Sequence, residues 1–159
     1  MRLLLSTIAL LVWALWFGGL IALFVFVQTL FKNDREMAVV AAPQMFVMFE
    51  KAHLILAAIA LAVVVAWRVA APSRAVLVLF LLLALATCAG VAVAVWIIGP
   101  MEELRRQGMS GSAEFKRLHG RSMMLYVFQA AALLAAGITL VFAISKTSRG
   151  TAAATDSPA

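Results

Sequence analysis

The chain is poor in the residues that build most catalytic and metal sites. Its 159 residues include one cysteine, two histidines and one tyrosine. The single cysteine, Cys88, excludes a disulfide framework and a thiolate metal site, and its position in an apolar run indicates a packing role. The sequence also lacks a Gly-rich phosphate loop, a nucleophile elbow and a zinc-protease helix, so no motif predicts an enzyme.

Charge is scarce as well, and long stretches have none. Charged residues make up 13% of the chain and hydrophobic residues 65%, which is far from the composition of a soluble domain. The mean hydropathy is +1.07. Residues 3–31 carry no charged side chain, and at about 1.5 Å per helical residue this run exceeds the roughly 30 Å hydrocarbon core of a bilayer. The sequence therefore predicts an integral membrane protein.

Three further apolar runs, at 52–67, 75–101 and 122–146, bring the predicted number of spans to four. The run 52–67 is too short alone, so its helix must continue upstream through Glu50 and Lys51 or downstream past Arg68, which can snorkel. We predict an all-α integral membrane fold, a bundle of four transmembrane helices in one domain (1–146). A disordered tail (147–159), rich in Ala, Thr and Ser, is predicted to follow it.

The net charge of +6 does not indicate nucleic-acid binding, because no basic face with interleaved aromatic residues lies outside the spans. The lipid bilayer and its anionic headgroups are the predicted partner, and a membrane-protein partner or a homo-oligomer is left open. One side of the predicted bundle carries basic residues with no acid before Asp156, namely Arg2, Arg68, Arg74, Lys146 and Arg149. This distribution favours cytoplasmic termini and a location in the bacterial inner membrane.

Small residues recur at four-residue spacing in every predicted span, a pattern typical of close helix packing in membranes. The sets are Ala14, Gly18 and Ala22; Ala58, Ala62 and Ala66; Ala86, Gly90 and Ala94; and Ala132 with Ala136. They predict small-xxx-small packing on each helix. Near the span ends, Trp67 and Trp96 are expected in the interfacial aromatic belt.

A short repeat links the second and fourth helices. Residues 49–53 and 115–119 both read Phe, two charged residues, any residue, His. The match predicts two helical hairpins in parallel repeat, with His53 and His119 at similar depth.

The fourth helix carries the most specific polar pattern. His119, Ser122, Tyr126 and Gln129 recur at i, i+3, i+7 and i+10 and so share one helix face. Glu50, His53 and Gln28 lie toward the same membrane side. Because polar groups are costly in hydrocarbon, these seven side chains predict a polar pocket on the non-cytoplasmic side that binds a small ligand, an ion or a partner helix. The alternative is that they only hydrogen-bond the helices to one another.

Two other functions remain open at this point. His53 and His119 at equal depth would ligate a haem iron axially, or bind a metal ion together with the Glu50 carboxylate, in a redox protein. We predict no resident cofactor, because the chain has only two histidines and small-residue seams leave little room for a porphyrin. The other function is that of a structural subunit in a larger membrane assembly.

Residues 115–122 resemble a known family signature. The segment Phe115-Lys-Arg-Leu-His119-Gly-Arg-Ser122 is similar to the F-x-x-L-H-G-x-S motif of small membrane proteins grouped as domain of unknown function 4149, the transmembrane protein 205-like family. The resemblance extends to Trp16-Phe-Gly-Gly19, to residues 44–49 and to residues 96–106. It implies four membrane helices and no established reaction. His119 and Ser122 match the motif, whereas Tyr126 stands where the family often has Asn.

Overall fold

The computed structural model describes the backbone of residues 1–155 and the side chains of residues 1–145, and this part of the chain contains helices and no strand. The helices are α1 (Arg2–Asn33), α2 (Arg35–Ala70), α3 (Arg74–Val93), a π-helical segment (Ala94–Ile98), α4 (Gly99–Arg106) and α5 (Ala113–Thr155). The predicted all-α fold is confirmed.

Four stretches are long and apolar enough to cross a membrane: Arg2–Asn33, Arg35–Ala70, Arg74–Arg106 and Ala113–Ser145. The predicted number of spans is therefore confirmed. The second helix extends beyond the run 52–67 in both directions, as its short length requires. The backbone of α5 is helical through Thr155, and residues 156–159 of the predicted tail lie outside the described residues, so a disordered tail stays a prediction.

A single residue, Asp34, connects α1 to α2. Its backbone is extended, with φ −148° and ψ 92°, its N–H donates to the Leu30 carbonyl at 2.8 Å, and its Oδ1 accepts from the Met37 N–H at 2.9 Å. The same residue thus satisfies the last turn of one helix and the first turn of the next. The result is a helical hairpin with no loop.

The turn between α4 and α5 is also fixed by local hydrogen bonds. Gly108 has φ +71°, and its N–H donates to Arg105 while the N–H of Met109 donates to Leu104, which is a Schellman motif. Ser112 Oγ then accepts from the Phe115 N–H at 3.1 Å and caps α5.

The π-helical segment lies directly before Pro100. Proline has no N–H and its ring crowds the carbonyl four residues earlier, here that of Trp96. A π-helical turn is wider than an α-helical turn and is one way in which a helix accommodates such a break in its hydrogen bonding. The helix therefore continues past the proline to Arg106.

The long helices form a four-cornered bundle. α1 packs against α2 and α5, and α3 packs against the same two helices, so α2 and α5 occupy opposite corners. Trp16, Leu20, Leu133 and Leu140 are fully buried between them. Large apolar side chains also cover the outside, which suits a surface in contact with lipid.

The small-residue prediction is wrong for two of the four helices. Ala14, Gly18 and Ala22 are exposed on α1, and the set on α2 is exposed as well. On α3 and α5 the predicted small residues lie inside: Ala86, Gly90, Ala132 and Ala136 are buried and Ala94 is half-buried. Alanine is so abundant in this chain that four-residue spacings occur on both sides of a helix, and the inner face of α1 is occupied by large residues instead.

Tryptophan positions also differ in part from expectation. Trp96 is 70% exposed, as the belt prediction requires, but Trp67 is fully buried inside the bundle. Trp13 is half-buried, and its indole N–H donates to the Leu133 carbonyl of α5 at 2.7 Å. A Cβ on Gly137 would overlap the six-membered ring of Trp13, so α1 and α5 approach closely only because residue 137 is glycine.

We expect Gly137→Ala to be less stable than Gly120→Ala by about 1–3 kcal/mol, the usual cost of overpacking. Both changes add the same methyl group to α5 and gain the same helix propensity. Nothing lies within 4 Å of a Cβ at Gly120, whereas one at Gly137 meets Trp13. Reversible unfolding in mixed detergent, followed by circular dichroism, measures the difference. Equal stability of the two variants would show that Trp13 moves aside freely.

Candidate functional site

A hydrogen bond crosses the interior of the bundle between its two diagonal helices. The Tyr126 hydroxyl on α5 donates to Glu50 Oε1 on α2 at 2.6 Å. Each residue is only 3% exposed. Bonds to a charged acceptor are shorter and stronger than neutral ones, and in a buried position both partners need the contact.

His53 lies one helical turn after Glu50 on the same face of α2. Its Nδ1 is 3.1 Å from Glu50 Oε2, although the angle is not that of a hydrogen bond. The imidazole is fully buried and stacks between Trp16 of α1 and Phe49 of its own helix, with ring centroids 5.9 and 5.7 Å away. The ring is therefore held in place by aromatic packing on both sides.

Gln129 and Gly90 complete the surroundings of His53. Gln129 is fully buried, and its Nε2 donates to the Ala86 carbonyl of α3 at 3.3 Å, while its Oε1 has no partner in the described structure. A Cβ on Gly90 would overlap the His53 imidazole and lie 2.9 Å from Gln129 Nε2. Glycine is required at position 90 for this reason. We call Glu50, His53, Tyr126 and Gln129 the buried polar cluster.

The depth of the cluster can be estimated from its distance to Arg68 along α2. Glu50 precedes Arg68 by 18 residues, which is about 27 Å along α2. A core of roughly 30 Å measured from Arg68 would thus end near Glu50. Lys51, the next residue, is exposed on the outside of the bundle, where its ammonium can snorkel to the headgroups.

Beyond this level, a cleft of about 580 Å³ separates the α1–α2 hairpin from the π-helical segment, α4 and the start of α5. Most of its wall is apolar, and its polar lining residues are Gln28, Arg35, Glu102, Arg105, Ser110, His119, Ser122 and Tyr126. Phe24 and Phe46 contact the Tyr126 ring, with centroids 5.6 and 5.4 Å away. Tyr126 therefore belongs both to the lining of the cleft and to the buried polar cluster.

The rim of the cleft is positively charged. Arg105 lies over the Phe115 ring at 5.6 Å and is 3.9 Å from Glu102. Arg35 is exposed, and among the described residues no acidic side chain pairs with it. The charged residues in the lining are thus two arginines and one glutamate, while Asp34 and Glu36 flank Arg35 in the sequence.

The seven predicted site residues divide into two groups. Gln28, His119 and Ser122 line the cleft, the first two exposed and Ser122 buried, with its hydroxyl bonded to the His119 carbonyl at 2.8 Å. The other group, Glu50, His53 and Gln129, is buried and does not line the cleft. Tyr126 belongs to both groups. Of the four predicted residues on the fourth helix, Ser122, Tyr126 and Gln129 are buried and His119 is exposed.

The prediction that the two histidines lie at similar depth is wrong. His53 is level with Gln129, which follows His119 by ten residues or about 15 Å along α5. The repeat does produce two local stacks, Phe49 on His53 and Phe115 on His119. However, His53 is 18 residues inside its helix and His119 only six, because α2 begins far upstream of the repeat.

This separation bears on the hypothesis of a shared histidine site. Two axial ligands of one iron must both reach the metal, and an offset of about 15 Å along the bundle disfavours this, so haem ligation stays an untested hypothesis. Among the described residues, no three His, Cys, Asp or Glu side chains are grouped so that they could hold a metal ion.

Sequence reasoning did not identify several residues that shape the site. Trp16, Arg35, Arg105 and Phe46 carry no periodic polar signal, and only the fold brings them to the cluster or the cleft. Gly90 had a signal, its place in a small-residue set, but that pattern indicates helix packing and not room for an imidazole.

Comparison with known proteins gives one match. The profile of the family described as "Domain of unknown function (DUF4149)" matches residues 11–110, which covers most of α1, all of α2 to α4 and the start of the following turn. The matched range ends before the segment 115–122. No curated protein and no solved structure matches the chain.

A double-mutant cycle on Tyr126→Phe and Glu50→Ala is expected to give a coupling energy of about 0.6–1.7 kcal/mol, between the average and the maximum measured for interhelical hydrogen bonds in membranes. The reason is the direct bond between the two side chains. Unfolding in mixed detergent supplies the four stabilities. Tyr126→Phe paired with Glu36→Ala, an exposed acid on the same helix, is the control and should couple by less than about 0.5 kcal/mol. A cycle no larger than the control would contradict the bond.

Proposed function

The chain belongs to the DUF4149 family, and from that premise we propose that it binds a small amphipathic molecule with an acidic headgroup in the cleft, as a multi-pass protein of the bacterial inner membrane. The family has no described activity, so the proposal rests on the geometry of this chain. The proposal restricts the ligand predicted for the polar pocket to an amphipathic molecule, because the wall of the cleft is mostly apolar.

The observation that carries the proposal is the combination of an apolar cleft with an unpaired arginine at its rim. Ligand sites are typically concave, apolar and about 300–1,000 Å³ in volume, with a few polar groups that fix orientation. The cleft, at about 580 Å³, lies within this range, and Arg35 has no acidic partner among the described residues. A guanidinium in this setting favours a carboxylate or a phosphate.

The residues divide between the two parts of such a ligand. Arg35 and Arg105 would meet the acidic headgroup, with Gln28 and His119 as further hydrogen-bonding groups at the rim. Phe24 and Phe46 would contact the apolar body. A position next to the hydrocarbon boundary supports this division, because an amphiphile in a bilayer also keeps its headgroup at the interface.

An orientation with both termini in the cytoplasm and the cleft on the other side rests on the absence of acidic residues before Asp156 at the end of the bundle that holds the termini. The cleft end has more basic residues, but it mixes them with Asp34, Glu36, Glu102 and Glu103. Arg2, Arg68 and Arg74 lie at one end of the bundle, and the Asp34 turn and the cleft lie at the opposite end.

Arg35→Gln is expected to weaken palmitate binding about tenfold, equivalent to about 1.4 kcal/mol and close to the usual contribution of a charge-assisted hydrogen bond. Native mass spectrometry of the protein in nanodiscs measures the affinity. Palmitamide, the neutral isostere, should bind both proteins equally, because it cannot exploit the guanidinium charge.

Lys32→Gln provides the matched control. It removes one positive charge three residues away, at the same end of the hairpin, from a side chain that does not line the cleft. Palmitate binding should change by less than about twofold. If Lys32→Gln weakens binding as much as Arg35→Gln, the effect is general surface charge; if palmitate does not bind at all, the proposed ligand class is wrong.

Labelling of single cysteines tests the orientation. In a Cys88→Ala background, which removes the exposed native thiol, Ser110→Cys should react with a membrane-impermeant maleimide on intact cells, and Pro72→Cys only after permeabilisation. Both positions are exposed and lie at opposite ends of the third span. Reaction of Pro72→Cys alone on intact cells would mean the inverse orientation.

A further inference from the structure

We propose that the buried polar cluster is a proton-exchange site, at which Glu50 and His53 take up and release a proton that passes between them and the cleft through Tyr126. This function does not require the proposed ligand, because Glu50 and His53, which hold the proton, do not line the cleft. Intramembrane carboxylates and histidines are costly and characteristically mark proton relays, so the cluster needs an account beyond packing.

The spacing of the atoms fits a relay. Tyr126 lines the cleft, and its hydroxyl oxygen is 2.6 Å from Glu50 Oε1. The other oxygen of the same carboxylate is 3.1 Å from His53 Nδ1. Proton transfer requires heavy atoms about 2.6–3.2 Å apart, and both distances lie in this range. The His53 imidazole must also turn toward Glu50 Oε2 before a proton can cross, because their present angle is not that of a hydrogen bond. As Tyr126 passes its hydroxyl proton to Glu50, it accepts another from the cleft, so one proton moves inward and no bond between heavy atoms changes.

Apart from Tyr126, no ionisable side chain that the structure describes on the neighbouring helices contacts Glu50 and His53. From α1 the cluster meets Trp16, from α3 it meets Gly90 and Ala86, and neither helix presents an ionisable side chain to it. From α5 it meets Tyr126 and Gln129, of which only the tyrosine can ionise, and Lys51 on α2 points outward. A buried charge with no partner is very unfavourable, so a proton that reaches the cluster must be balanced within the pair of Glu50 and His53.

The inner end of the cluster has groups that can respond to this proton. His53 Nε2 and Gln129 Oε1 are both buried without a hydrogen-bond partner in the described structure. Both side chains border the space that glycine leaves at position 90. A proton on His53 Nε2 can be donated to Gln129 Oε1 once the amide turns, and the amide then releases the Ala86 carbonyl of α3. Protonation is in this way linked to the contact between α3 and α5.

Infrared spectroscopy of the full chain in nanodiscs tests the proposal without any ligand. As the pH is lowered, the C=O stretching band of a protonated, buried carboxylic acid should appear, and it should shift slowly on transfer to D₂O. Glu50→Gln should remove this band. Glu36→Gln, which changes an exposed acid on the same helix, should leave it. Absence of a slowly exchanging, Glu50-dependent band over the pH range in which the protein stays folded would overturn the proposal.

The route through tyrosine is tested by the rate of exchange. In Tyr126→Phe the band should persist, but its shift in D₂O should be at least about tenfold slower, because the hydroxyl that links Glu50 to the cleft is missing. Unchanged exchange would refute the route. If Glu50→Gln does not fold, Glu50→Asp keeps the carboxyl group and should move the band, whereas an unmoved band assigns it to another acid. None of these results depends on whether palmitate binds.

Discussion

The bond from Tyr126 to Glu50 is the contact on which the arrangement of the polar residues depends. It joins the two helices that do not lie side by side, across the interior of the bundle. Apolar helices gain little from one another in lipid, so a directional contact of this kind fixes how deep each helix sits relative to the other. Once Glu50 is held there, its i+3 neighbour His53 falls between Trp16 and Phe49, opposite the space at Gly90.

Tyr126 also separates two different environments. The shared polar face in the sequence predicted a single pocket there. On one side is an open cleft with apolar walls and arginines at its rim, and on the other is a closed group of ionisable and amide side chains. The cleft has the properties of a site for an amphiphile, and the buried polar cluster has those of a site for a proton. Because one ring borders both, a molecule that presses on Tyr126 in the cleft also acts on the hydrogen bond behind it.

The sequence predicted well those features that depend on composition and on the length of apolar runs. Charge-free runs predicted the four spans, and the short length of the run 52–67 predicted that its helix continues beyond it. The depth of a side chain in the bundle, and the direction in which it faces, were harder to predict. His53 and His119 share a pentapeptide pattern, yet α2 begins 18 residues before the first histidine and α5 six residues before the second. No residue near either histidine encodes that offset, because it is set by the Asp34 turn far upstream.

The Asp34 turn has a mechanical consequence. Asp34 alone connects α1 to α2, and both its N–H and its side-chain oxygen are hydrogen-bonded. The two helices therefore have little freedom to slide or separate, and the hairpin is expected to move as a rigid unit. On the opposite wall of the cleft, α4 and α5 are joined by a turn of several residues. We therefore expect the cleft to widen by movement of α4 and the start of α5 away from the hairpin. The π-helical segment before Pro100 is the expected hinge.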